Sequence, residues 1–151
     1  MTDREQIEEV LHAYATHIDK GEAQGLVRDV FAADAVVDLG YGVWEGAEEA
    51  ARQIGGEIEL FEGSAHMLSN LTVSLEGDSA RSTIYVTAWH WNRGEGNADP
   101  ERPADFVTAG VYIDRLRRDP EGWRVIHRRF RRLGPSAIAI GKLPEFIQPE
   151  G

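Results

Sequence analysis

From Ala65 onward the hydrophobic period of this chain changes from about 3.6 to 2, and that change constrains the architecture more than any other feature. Four long alternating stretches, near 65–76, 79–92, 105–118 and 122–133, read as strands. Glu76-Gly77-Asp78 and Arg118-Asp119-Pro120-Glu121-Gly122 are turn sequences that join neighbouring strands into antiparallel hairpins. RGEGNADPERPA (93–104), polar and rich in Gly and Pro, reads as a long mobile hairpin loop. Upstream, Ile7, Val10, Leu11, Tyr14, Ala15 and Ile18 recur at helical spacing. They predict a helix over 3–18, with Thr2 or Asp3 as N-cap and Lys20-Gly21 as its end. A second helix is expected near 22–32, with Leu26, Val30 and Phe31 inward, and a third over 47–60, weakened by Gly55-Gly56. Short strands at 35–39 and 43–44 flank the turn Gly40-Tyr41-Gly42. Helices first and a long antiparallel sheet second make an α+β fold, a single domain over 1–151. A strongly curved, mostly antiparallel sheet wrapped around three helices leaves a cone open at one end, a natural internal pocket for a small molecule. The tail 134–151 carries Ile138, Ile140, Leu143, Phe146 and Ile147, and is expected to pack over the cavity mouth or a partner subunit.

The 151 residues carry a formal net charge of −10, which argues against a nucleic-acid surface. The basic run RVIHRRFRR (124–132) reads as a strand whose arginines split between two faces, pointing to internal or intersubunit pairing. No apolar run approaches the ~18 residues of a membrane span. The acidic start MTDREQIEEV lacks the order of a signal peptide, so a cytoplasmic protein is expected. There is no cysteine, which leaves oxygen and imidazole chemistry.

Strand parity selects the chemical candidates. Ile84, Val86, Ala88 and His90 share one face; Thr83, Tyr85, Thr87, Trp89 and Trp91 share the other. His66 lies with Leu68 and Asn70 on an apolar face, and counting back from the turn pairs it close to residue 89, near His90. Ile126, Arg128 and Phe130 share a face, so Arg128 interrupts an apolar row. Asp19 stands in the last turn of the first helix, where the dipole disfavours a carboxylate. It is either a solvated helix end or a carboxylate orienting His66, as general-base histidines require. Tyr14 faces the core.

Other motifs fail on spacing. His12 and His17 lie five apart, off a common helical face, and no HExxH is present. No strand-to-helix Gly-rich phosphate loop and no GxSxG elbow occurs. Neither a cofactor nor a metal is expected. An acid–base site in which Asp19 is committed to His66 leaves only two imidazoles for a metal.

The order HIDKGE, FAADAVVDLG, W-x-G, AHMLSNLTVSLEGDSARSTIYVTAWH and YIDRLRRDPEGWRVIHRRF resembles the SnoaL-like branch of the NTF2-like superfamily, from about residue 5 to 132. That resemblance implies a cone of curved sheet enclosing a pocket behind three helices, commonly dimeric. Lyases of that branch use an Asp at the end of the first helix and a His near the start of the first long strand, places that Asp19 and His66 match. It further implies a functional tyrosine at Tyr14, a second histidine at His90 and an arginine at Arg128, or Arg129 by a one-residue shift. The Asp–Arg–Asp set of epoxide hydrolases with this fold is not evident.

The expected protein is a cofactor-independent lyase or isomerase acting on a small, apolar, cyclic molecule. His66 would remove a proton from carbon, and Tyr14, His90 or Arg128 would stabilise the enolate or protonate a departing hydroxyl. A polyketide cyclase and a non-catalytic small-molecule-binding or accessory protein are the alternatives. Apolar residues on both sheet faces predict a homodimer through the outer face, burying about 1,200–2,000 Å² in total.

Overall fold

Local chemistry sets the first helix, α1 (Asp3–Asp19), at both ends. Thr2 is its N-cap: its hydroxyl accepts from the Glu5 N–H, and the Glu5 carboxylate accepts from the Thr2 N–H, a capping box. At the other end Gly21, with φ +72°, closes a Schellman motif in which the Glu22 N–H reaches the His17 carbonyl and the Gly21 N–H that of Ile18. The motif makes Asp19 the last helical residue. The computed structural model describes residues 1–94, 102–134, 138–139 and 145–147.

After α1 come α2 (Gln24–Asp29), β1 (Phe31–Asp38), β2 (Val43–Glu45), α3 (Ala47–Ile58), β3 (Phe61–Glu76), β4 (Ser79–Asn92), β5 (Phe106–Asp119), β6 (Gly122–Arg132), β7 (Ile138–Ala139) and a 3-10 turn at Glu145–Ile147. Six strands lie in the order β2-β1-β6-β5-β4-β3, and β7 pairs with the start of β5. β1 runs parallel to β6; the other pairings are antiparallel. The α+β architecture with N-terminal helices and a mostly antiparallel sheet is the one expected. Leu11, Tyr14, Ile54, Ile84, Leu116, Trp123 and Val125 belong to the core between helices and sheet.

Two boundaries differ from expectation. The second helix ends at Asp29, and Phe31 opens β1 instead of closing a helix; an irregularity between Phe31 and Val36 hides the strand's alternation. β3 starts at Phe61, four residues before the period-2 pattern becomes clear, with a further irregularity between Phe61 and Gly63.

A bulge decides which way His66 points. From the turn, Glu76 pairs with Ser79 and Thr72 with Thr83, but beyond Ser69, opposite Tyr85, the register has moved by one residue. Asn70, with φ +56°, supplies the extra residue in a left-handed conformation that Asn tolerates. His66 therefore opposes Ala88, where uninterrupted counting gives residue 89. Directly opposed residues share a face, so the bulge moves His66 from the side of Trp89 to the inner side of Ala88 and His90. Asn70 itself is exposed instead of sharing that inner face. A second shift, between Arg115 and Leu116 on β5, places both Val125 and Arg128 inward and leaves Ile126 out of their row.

Candidate active site

A cavity of about 390 Å³ opens between α1, α3 and the inner face of the sheet, within the range of small-molecule sites, ~300–1,000 Å³. Tyr14, Asp19, His66 and His90 line it. Arg128 does not; it lies one layer deeper.

Asp19 projects from the end of α1 onto β3 and is held three ways. Its Oδ1 is 2.7 Å from His66 Nδ1 and accepts from the Ser64 hydroxyl at 2.8 Å, and its Oδ2 accepts from the His66 backbone N–H at 2.9 Å. These donors answer the unfavourable helix dipole. Burial pushes the Asp19 carboxyl up, but the ring and backbone of His66 and the hydroxyl of Ser64 outweigh it and hold the group below the usual carboxylate range. An ionised carboxylate only accepts, so the Nδ1 facing it carries the proton and Nε2 of a neutral ring keeps its lone pair. The His66 side chain is 9% exposed.

His90 packs its ring flat on Phe106, with centroids 4.4 Å apart, and stands edge-on to His66 at 5.8 Å. Burial first, and then the neighbouring His66, lower its pKa to about 3. It is a neutral ring at physiological pH, able to donate one N–H but not to act as an imidazolium acid.

Arg128 is fully buried and forms a bidentate pair with the buried Asp114, at 2.9 and 2.7 Å. Its guanidinium lies 4.3 Å from the Tyr14 ring centroid and 4.0 Å from that of Tyr112. Burial opposes its charge, yet the Asp114 carboxylate restores and exceeds it, so the group stays cationic. With Asp114 occupying it and two phenol rings covering it, Arg128 supports Tyr14 from behind and does not meet the cavity contents. Asp114 is a core residue directly opposite Arg128. The alternative Arg129 is exposed.

Sequence reasoning missed four lining or supporting groups. Ser64 lies in the unrecognised start of β3. Tyr112 sat in an apolar row and carried no separate signal. Tyr41 was read only as part of a turn, and Glu57 only as part of a weakened helix end. The Tyr41 hydroxyl donates to the Glu57 carboxylate, and both line the cavity. Phe146 also borders the cavity and packs against Tyr41 at 5.1 Å, so this part of the tail does lie at the pocket. Ile140, Leu143 and the middle of the 93–104 loop lie outside the described residues. Among the described residues no three His, Asp or Glu side chains are arranged to hold a metal ion, and no helix is long and apolar enough to cross a membrane.

Comparison with known proteins follows the same lines. The family model for the SnoaL-like domain matches residues 1–129. The uncharacterized protein Rv2910c of Mycobacterium tuberculosis is 31% identical over 134 residues, 85% of this chain and 84% of its own. A structure from Novosphingobium aromaticivorans, provisionally named a scytalone dehydratase, superposes with TM-score 0.76 at 20% identity, covering 93% of this chain and 89% of that one. The structure of LinA matches with TM-score 0.76 at 20% identity, over 93% of each chain.

Proposed function

Since the chain belongs to the SnoaL-like family, we propose that it is a cofactor-independent lyase or isomerase whose base, His66, removes a proton from carbon on a small, apolar, cyclic molecule. The observation that carries this reading is the 2.7 Å contact of His66 with Asp19 at the wall of the cavity. Asp19 fixes the tautomer and orientation of the ring and stabilises the imidazolium formed when Nε2 takes the proton. The hydroxyl of Tyr14 and the neutral N–H of His90 serve as donors to the developing enolate oxygen. Arg128 acts as a positioning residue for Tyr14. The likeness to the structure provisionally named a scytalone dehydratase agrees with lyase chemistry in this fold.

We place the protein in the cytoplasm as a homodimer through the outer sheet face, where Met67 is 57% and Tyr85 45% exposed. The catalytic reading is tested by incubating the protein with cyclohexanone and 1-tetralone in D₂O and following the α-protons by NMR. Wild-type protein exchanges them and His66→Gln does not. Binding of these ketones with no exchange above buffer would make the protein a binding module.

A further inference from the structure

The cavity has a second polar wall that proton abstraction by His66 leaves unused. Glu57, between Ile54 and Ile58 on the cavity side of α3, faces the same space as His66 from a different element. Its Oε2 accepts from the Tyr41 hydroxyl, which the β1–β2 turn brings over α3. Tyr41 in turn stands edge-on to Trp44 at 5.8 Å, so the phenol is braced from the strand side. Burial pushes the Glu57 carboxyl up, Tyr41 draws it partly back, and the group titrates at about 7. The Tyr41 phenol is itself pushed far up, by burial and then by Glu57, and stays neutral. Tyr14 of α1 also senses the Glu57 charge. Asp19, Lys20, Glu59, Glu62, Arg93 and Arg132 border the cavity as well, and Arg93 donates to the Glu59 and Phe61 carbonyls. The Tyr41 donor to Glu57 is a neutral phenol, a partner that tolerates a protonated carboxyl.

We propose that Glu57, held by Tyr41, is the general acid of this site, and that the substrate is a β-hydroxy carbonyl compound whose hydroxyl leaves as water. The inference rests on the His66 base reading and adds the second half of the reaction. His66 Nε2 takes the α-proton, and the C–H electron pair becomes the enolate. When the enolate collapses, the new C=C bond forms as the C–O bond breaks with its electrons on oxygen. Glu57 delivers its carboxyl proton to that oxygen, releasing water. The cycle closes when imidazolium at His66 returns a proton, through water, to the Glu57 carboxylate. His90, neutral down to about pH 3, cannot supply this proton as an imidazolium.

The probe is 3-hydroxycyclohexanone in D₂O, with α-exchange read by NMR and cyclohexenone by ultraviolet absorbance. Wild type performs both; His66→Gln loses both. Glu57→Gln loses dehydration by roughly 100-fold or more relative to its own α-exchange, the usual size of a general-acid contribution. Dehydration by wild type falls as pH rises through about 7. Carbon-13 titration of Glu57 reads the same group without substrate, and Tyr41→Phe moves its midpoint upward. Dehydration by Glu57→Gln within a few-fold of wild type overturns the proposal, as does a Glu57 midpoint in the ordinary carboxylate range. Absence of α-exchange in wild type instead contradicts the His66 reading, and the acid role falls with it.

Discussion

Replacing Arg128 by Met removes one half of a fully buried ion pair and leaves the other half in place. Asp114 is 1% exposed, and its two carboxylate oxygens lose the Nε and Nη2 donors at 2.9 and 2.7 Å. Breaking such a pair costs about 3–5 kcal/mol, most of it the penalty of an unpaired buried carboxylate. The loss of two stacking contacts, at 4.3 and 4.0 Å to Tyr14 and Tyr112, acts in the same direction. In a domain of this size that is a fall of roughly 10 °C in Tm. The double variant Arg128→Met/Asp114→Leu removes both charges and should recover most of the loss, because a packed apolar pair of similar volume is often neutral or better. Urea unfolding followed by tryptophan fluorescence measures all three proteins, and the coupling energy comes from the cycle. A loss below about 1 kcal/mol in the single variant, or a double variant no better than the single, would refute the buried-pair reasoning.

Three further outcomes follow from the same structure. His90 has a folded pKa of about 3 against about 6.5 unfolded, so the unfolded chain takes up its proton first as pH falls, and stability is lost below 6.5. Relative to wild type, His90→Phe should gain about 2 kcal/mol between pH 8 and pH 5; a pH-independent difference in urea midpoints contradicts this. Glu57, raised to about 7, has the opposite sign and costs stability as pH rises from about 4.5 to 7, which is why the variant comparison and not the wild-type curve is diagnostic. Asn70→Val resists the left-handed backbone of the bulge and favours the uninterrupted register, in which His66 opposes Trp89 and turns to the outer face, so it should lower α-exchange even where circular dichroism shows a folded sheet; a fully active variant would sink the register account. The exposed Met67 and Tyr85 predict a dimer in sedimentation at micromolar concentration, shifted toward monomer by Tyr85→Lys; a wild-type monomer rejects that interface.

The large elements were legible because their signals are local and redundant. α1 shows in its apolar spacing and in the Thr2 or Asp3 that can cap it, and the long strands show in their alternation. Asp19 and His66 were found from a helix end and a resemblance, not from pairing arithmetic, since that arithmetic put His66 opposite the wrong residue. A single Asn70 in a left-handed conformation flips a strand without disturbing its composition. Arg128 was recognised as inward, but its partner Asp114 could not be, because their opposition depends on a second bulge. Glu57 and Tyr41 were illegible because they are far apart in sequence and each looks ordinary until α3 and the β1–β2 turn meet.

Whether His66 removes protons from carbon is read most directly with 5-nitrobenzisoxazole, whose ring opens on loss of one C–H proton and whose phenolate product needs no acid to depart. Wild-type protein should open it at least ~10²-fold faster than matched imidazole buffer, the scale expected of a positioned base. Asp19→Asn should lose much of that rate and His66→Gln should fall to background. Ring opening by His66→Gln at the wild-type rate would place the base elsewhere and contradict the assignment.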